Sequence, residues 1–337
     1  MDEEENSIRN SKYQSYFILR GNNEHLARGE LKALLEVYDP HASLKCYTMI
    51  CLSKTNVSVA GRIVRRAGFI KEAGVLIDAY NAYSLSDAEE AALMVEDKTV
   101  HVSNLKSTVS DSAIKRFLSK ASLRQGFRGA REYRLIFSDG LAILGEKMYV
   151  NDLKKLIEDS MSKPFKRSIA LKPDVSRVLI NLTRAREGDT ILDPFAGTGS
   201  ILIEAWRMDI FPLGVDLDYE LTKGMEENLR YFKTPSIVVL GDSRYLTFRE
   251  VEHVATDLPY GRGASTHGVE IKGVYGDFMA NLSEYLSPSG YACFMTPMWL
   301  EEYVDELISR HGLKLTERYY DYVHGSLTRT INVVRKR

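Results

Sequence analysis

Two short loops in this 337-residue chain carry residue types that could do chemistry together. One is Asp257-Leu258-Pro259-Tyr260-Gly261; the other is Asp193-Pro194-Phe195-Ala196-Gly197-Thr198-Gly199-Ser200. In the first, Pro259 fixes φ and removes an N–H, so the carbonyls before it project outward. The Asp257 carboxylate and the Leu258 carbonyl could then accept both N–H groups of a flat exocyclic amine. Held in this way, the nitrogen gains electron density and turns its lone pair toward an electrophile. Tyr260 could stack on the ring bearing the amine, an interaction worth about 1–3 kcal/mol per base. Such chemistry rests on positioning and needs neither a metal nor a covalent intermediate.

The second loop could pass for a dinucleotide fingerprint, since Gly197 and Gly199 match its first two glycines. Leu202 stands at the third position, however, and Asp193 already occupies the strand end, so the pattern fails. What remains is a tight glycine turn opening a helix at Ser200. A helix N-terminus favours anions. Amides near Gly197 and Gly199 therefore suit a carboxylate, and Asp193 suits an ammonium, so an amino-acid moiety fits both. Asp216, with Leu217 beside it, ends the next strand, where an acid hydrogen-bonds ribose hydroxyls; Asp218 is its rival. Asp242, followed by Ser243 after the third strand, is placed to accept from an adenine amino group. Singly, each acid reads as a solvated loop residue. Strand after strand, they describe a pocket for an adenosine.

These residues need strands that end beside one another. Thr190-Ile191-Leu192 and Val254-Ala255-Thr256 read as buried strands directly before the two loops. Strands over Leu213–Asp216 and Ile237–Leu240 alternate with helices over Ser176–Thr183, Ile201–Met208 and Tyr219–Tyr231. Phe278–Leu286, the strand Tyr291–Met295, the helix Trp299–His311 and a final strand pair follow. This alternation predicts an α/β, Rossmann-like domain over 168–337, a mostly parallel sheet with helices on both faces. Ligands of such sheets bind outside the carboxyl ends of the strands.

The preceding chain reads as α+β. Residues 1–80 suggest a ferredoxin-like part, with strands at Ser15–Leu19, Cys46–Leu52 and Gly74–Ala79 and helices at Glu24–Val37 and Val57–Ala67. Residues 81–148 add a strand at Thr99–Val102, a basic helix at Ser110–Ala121 and a hairpin turning at Ser138-Asp139-Gly140. A linker is expected over 149–167, with Lys147–Glu158 as a crossing helix.

Apolar content of 44% and charged content of 27% are ordinary for a soluble globular protein. No apolar run approaches the roughly 20 residues that span a bilayer. The acidic start, Met1-Asp2-Glu3-Glu4-Glu5, lacks the pattern of a signal peptide. Three cysteines give no disulfide framework, which fits a reducing cytosol, and Cys46 and Cys51 read as small buried thiols. A net charge of −1 carries no global signal for nucleic acid. Locally, Lys115, Arg116, Lys120, Arg124, Arg128, Arg131 and Arg134 are opposed in sequence by Glu132 alone. Arg62, Arg65 and Arg66 form a second cluster, and Lys163, Lys166, Arg167 and Lys172 a third. Three such clusters before an amine-binding loop point to phosphate contacts.

Both loops resemble those of S-adenosylmethionine-dependent amino-methyltransferases with an Asp-Pro-Pro-Tyr type motif. Over 85–337 the chain is similar to the archaeal and eukaryotic tRNA guanosine-10 N2-methyltransferase family. The matching pieces are Leu171–Arg184 (LKPDVSRVLINLTR), Asp193–Ala205 (DPFAGTGSILIEA), Asp257–Thr266 (DLPYGRGAST) and Tyr322–Val334 (YVHGSLTRTINVV). Arg134–Gly145 (RLIFSDGLAILG) resembles the closing hairpin of a THUMP domain. The resemblance implies S-adenosyl-L-methionine as cofactor, held through Asp193, Asp216 and Asp242. It gives Asp257 the catalytic role and Tyr260 the stacking role, and it implies tRNA as partner, without a membrane or an obligate protein subunit. Lys115, Arg116, Lys120, Arg124, Arg128, Arg131 and Arg262 are then the expected RNA contacts, with Arg329 a further candidate. Leu258 departs from the family's usual proline. Guanosine 6 of tRNA, another RNA, the N6 amine of adenine in DNA, and a non-catalytic RNA-binding scaffold remain alternatives.

Overall fold

The structure, a computed structural model, describes residues 14–21, 23–106, 108–126, 131–167, 170–260, 271–325 and 327–337. The chain divides into two compact units after Asn151.

The first unit is built on eight strands: β1 (Ser15–Leu19), β2 (Leu44–Tyr47), β3 (Ile50–Ser53), β4 (Ile70–Asn81), β5 (Thr99–Asn104), β6 (Arg124–Gln125), β7 (Tyr133–Ser138) and β8 (Leu141–Val150). They form one sheet in the order β2-β3-β1-β4-β8-β7-β5-β6. β4 pairs with β8 from Glu72 to Asn81. The sheet therefore runs unbroken across residue 80, where the sequence suggests a division into two parts. Four helices, α1 (Glu24–Tyr38), α2 (Val57–Arg66), α3 (Leu85–Leu93) and α4 (Asp111–Lys120), each start at an Asn or Ser. That side chain accepts from an N–H of the first turn, satisfying a donor the helix cannot.

Three expectations are corrected here. The segment 46–52 is a hairpin, not a single strand: Thr48 and Met49 turn between β2 and β3. The register sets Cys46 against Cys51, and the two are joined in a disulfide instead of standing as free thiols. Arg134, expected as a surface cation, is buried on β7. It donates Nε to Glu72 Oε1 at 2.8 Å and Nη2 to the other carboxylate oxygen, while the Tyr16 hydroxyl donates to Oε1 at 2.9 Å.

The second unit holds α5 (Leu153–Met161), α6 (Pro173–Leu182), β9 (Thr190–Asp193), α7 (Ser200–Arg207), β10 (Phe211–Asp216), α8 (Tyr219–Tyr231), β11 (Ile237–Leu240) and β12 (Val251–Asp257). α9 (Ile271–Tyr285), β13 (Leu286–Pro297), α10 (Glu301–Arg310), β14 (Leu313–His324) and β15 (Leu327–Lys336) complete it. The expected crossing helix begins only at Leu153, because 147–150 finish β8. Sheet order is β11-β10-β9-β12-β13-β15-β14, with β9 to β13 parallel and β15 antiparallel to both neighbours. From β9 the chain steps outward through β10 and β11, then returns to β12 on the other side of β9. The order thus reverses between β9 and β12, the place where such sheets open a crevice. Phe195, Phe278 and Phe294 pack edge to face beneath it, at centroid separations of 5.8 and 5.6 Å. Among the described residues, no helix is long and apolar enough to cross a membrane.

Glu72→Ala would leave the Arg134 guanidinium buried without its counter-charge. The expected cost is about 3–5 kcal/mol, read as a lower urea midpoint; an unchanged midpoint would show the pair to be dispensable.

Candidate active site

Asp193 ends β9 and Asp257 ends β12, on either side of the crevice. Both line an open cleft together with Phe195, Ala196, Gly197, Thr198, Ser200, Ile201 and Leu221. Arg167, Ala170 and Leu171 close it from the segment before α6. Asp216 and Asp242 sit at the ends of the next parallel strands, so all four acids share one edge of the sheet.

The glycine loop is held from below. Gly197 and Gly199 have φ of +54° and +79°, a region that other residues enter only with strain. Contrary to the sequence reading, their amides are already engaged. Gly197 donates to Asp216 Oδ2 at 2.7 Å and Gly199 to the Ala196 carbonyl at 2.8 Å. Asp216 also accepts from the Asp218 amide, so it ties β10 to the loop. Asn228 of α8 donates to the Thr198 carbonyl and pairs with both backbone groups of Phe165. Lys163, counted with the basic clusters, is buried and donates to Ser200 Oγ at 2.8 Å; burial lowers its amine. Local charge counting misses Lys163 and Asn228, because their partners lie far away in sequence.

Leu217 presents a half-exposed apolar side chain beside Asp216. The Asp242 carboxylate, expected to be open to an adenine amine, grips Arg244 through Nε at 2.9 Å, and this pairing holds it below the usual carboxylate range. Asn281 donates to the carbonyls of Ser243 and Arg244.

In the second loop, Leu258 is buried in the core and its N–H donates to the Met295 carbonyl at 3.2 Å. A proline there would lack this donor. The Pro259 carbonyl accepts from Tyr275 Oη at 3.0 Å, and the Tyr260 hydroxyl donates to Asp257 Oδ1. Thr256, which the sequence marks only as strand, donates to Asp193 Oδ1 at 2.7 Å. Arg329 of β15 lies over the Tyr260 ring, 5.6 Å from its centroid. Arg262 lies outside the described residues.

The expected RNA contacts of the first unit are unequal. Lys115, Arg116 and Arg124 are exposed and make no ion pair among the described residues. Lys120 is paired with Glu89 at 2.5 Å and Arg131 with Glu96 at 3.3 Å. These acids stand upstream of the run, so counting charges within it overlooks them. Arg128 lies outside the described residues.

Burial pushes Asp193 up to about 7, against hydrogen bonds from Thr256 and the Phe195 amide. Burial likewise pushes Asp257 up to about 6, against Arg329 and Tyr260. An unfolded aspartate titrates near ~3.9, so between about pH 4 and 7 the folded state holds more protons. Unfolding free energy therefore falls as pH rises through that window. The Tm of the ligand-free protein should drop from about pH 5 to about pH 7.5, and Asp193→Asn should flatten the decline. Identical pH curves for the two proteins would remove Asp193 from this account.

Residues 161–331 match the family described as UPF0020, RMKL-like methyltransferase domain. A tRNA (guanine(10)-N2)-dimethyltransferase of Methanothermobacter thermautotrophicus is 34% identical over 60% of this chain and 58% of its own length. An enzyme of the same description from Methanocaldococcus jannaschii is 27% identical over 95% of this chain and 99% of its own. The chain thus spans little more than half of the first relative and nearly all of the second. The crystal structure of TrmN from Thermus thermophilus shares the fold, with a TM-score of 0.56 over 96% of this chain and 100% of that one, at 19% identity. With its parallel sheet, its paired loops at the switch point and half its length matched, the chain belongs to the RMKL-like methyltransferase domain family.

Proposed function

We propose that this protein transfers a methyl group from S-adenosyl-L-methionine to N2 of a guanosine in tRNA, at position 10, and that it can do so twice. The observation that carries the reading is the half-buried Asp257 carboxylate, facing the same cleft as the glycine loop. The names of the two archaeal relatives support the nucleotide and the second methyl.

The residues present fit the cofactor. Asp193, acidic and buried at the cleft, suits its ammonium; Thr198 and Ser200, at the start of α7, suit its carboxylate. Asp216 and the apolar Leu217 suit ribose and adenine. Asp242, bound to Arg244, leaves the adenine amine to its remaining lone pairs or to Ser243. When bound, S-adenosylmethionine supplies an electrophilic methyl on a cationic sulfur. Everything else is done by the chain. Asp257 accepts one N–H of the guanine amine and the Leu258 carbonyl the other, since the Pro259 carbonyl is taken by Tyr275. The carboxylate also stabilises positive charge as it develops on nitrogen, and it can take the proton released. Tyr260 offers its ring face to the base. Lys115, Arg116 and Arg124 supply the phosphate contacts of a THUMP-like first unit.

Asp257→Ala should lower methyl transfer to unmodified tRNA transcripts by about 10²–10³-fold, with S-adenosylhomocysteine affinity unchanged. Near-normal turnover would dismiss the catalytic assignment. N2-methylguanosine found at another position would keep the chemistry and move the target, while bound cofactor without transfer to any RNA would favour a scaffold. Replacing Lys115, Arg116 and Arg124 with alanine should weaken tRNA binding and flatten its salt dependence, by about 0.7–0.9 in log–log slope for each phosphate no longer neutralised. The same change at Lys120 and Arg131 should do less, since acids already neutralise them. Equal slopes for both sets would remove this face from the interface.

A further inference from the structure

We propose that Arg329 is a positioning residue for the transfer. It braces the Tyr260 ring from one side, so that the Tyr260 hydroxyl holds Asp257 as the acceptor and the opposite ring face is left for the base. The inference rests on the reaction proposed above and gives an interior role to an arginine whose sequence context suggests only an RNA contact.

Strand register brings Arg329 there. On β15 it pairs with Pro297 of β13 on one side and Asp321 of β14 on the other, at the sheet end that carries the Asp257 loop. The next residue is fixed in turn: Thr330 and Thr296 share a buried hydroxyl hydrogen bond of 2.6 Å, and Asn332 donates to Thr296 Oγ1 at 3.1 Å. This polar ladder locks β15 to β13 and leaves Arg329 little freedom. Its side chain is only 14% exposed, with Nη1 3.9 Å from Asp321. Its Nε is buried and has no hydrogen-bond partner among the described residues. An arginine this enclosed serves the protein interior better than a passing phosphate.

Its effect on Asp257 follows from the surroundings. Asp257 is faced by Tyr260 of its own loop, Tyr275 of α9, Asp193 of β9, Asp321 of β14 and Arg329 of β15. Arg329 is the cation among these described neighbours; Lys172 and Asp174 act on Asp321 one step further out. Removing the guanidinium takes away both the ring's support and the charge that favours the carboxylate. The acid limb of activity should then move to higher pH, because Asp257 must be ionised to accept from the amine.

Two measurements on the full-length protein test this. The first is the pH profile of single-turnover transfer to tRNA for wild type, Arg329→Lys, Arg329→Gln and Tyr260→Phe. Arg329→Gln should lose about 10²-fold in rate and shift its acid limb upward by about one pH unit, with S-adenosylhomocysteine affinity unchanged. Arg329→Lys should restore the limb and part of the rate. The second is NMR titration of carboxyl-labelled aspartate, with Asp257→Asn identifying the signal. The Asp257 midpoint should rise in Arg329→Gln and return in Arg329→Lys. An unmoved midpoint, or an unchanged limb with only a raised KM for tRNA, would overturn the proposal and make Arg329 an RNA contact. A wild type that methylates no tRNA would count against the reaction instead, since the midpoint reports on Arg329 either way.

Discussion

The catalytic unit is organised around one costly constraint: two aspartates, Asp193 buried and Asp257 half-buried, sit at the ends of neighbouring parallel strands. Burying a carboxylate is unfavourable unless donors replace lost water. Here each acid receives a side-chain hydroxyl, Thr256 for Asp193 and Tyr260 for Asp257, yet burial still holds both well above an ordinary aspartate. The arrangement therefore stays short of donors. In the proposed reaction, the ligands complete it: a cofactor ammonium for one acid and an amine N–H for the other. The sheet's reversal of order between β9 and β12 is what brings them to one crevice.

Around this pair the chain uses its polar groups to hold loops in place. Asp216, Asn228 and Lys163 fasten the glycine loop, and the Leu258 amide and Tyr275 fasten the other. The engagement of the Gly197 and Gly199 amides shows why a glycine-rich turn is a poor guide to which N–H groups meet a ligand. Those glycines serve the conformation, and Thr198 and Ser200 face the cleft with Gly197. Leu258 is explained in the same terms. Where a proline would only stiffen the turn, leucine fills the core and supplies a hydrogen bond to β13.

What the sequence discloses follows from what is local. Parallel strands are short apolar runs whose ends are marked by acids and turn residues, and helices carry their own spacing, so the edge strand Ile237–Leu240 and the helix Tyr219–Tyr231 are legible to the residue. So are the two loops. Pairings across long separations are hidden. Arg134 finds Glu72 and Lys163 finds Ser200, and both resemble surface cations in sequence because their partners lie far away along the chain. The Cys46–Cys51 disulfide is hidden for a different reason. Reading 46–52 as one strand erases the Thr48-Met49 turn, and with it the register that sets the two cysteines opposite each other.

The raised Asp257 carboxyl also bears on how far the proposed reaction can go. An ordinary aspartate would be a weaker proton acceptor for the alkylated nitrogen; one near 6 is stronger, yet still mostly ionised at neutral pH. After a first methyl, the guanine amine keeps a single N–H, so only one of the two acceptors can be engaged again. Asp257 is the better of the two, because its charge answers the charge that develops on nitrogen, whereas the Leu258 carbonyl offers only a dipole. A second transfer therefore requires the first methyl to turn toward Leu258, away from the carboxylate. The Leu258 side chain belongs to the same apolar core as Val254 and Phe278, and a methyl turned toward its carbonyl leaves no N–H unpaired. The same two residues that fix the amine for the first step thus set the orientation of the second.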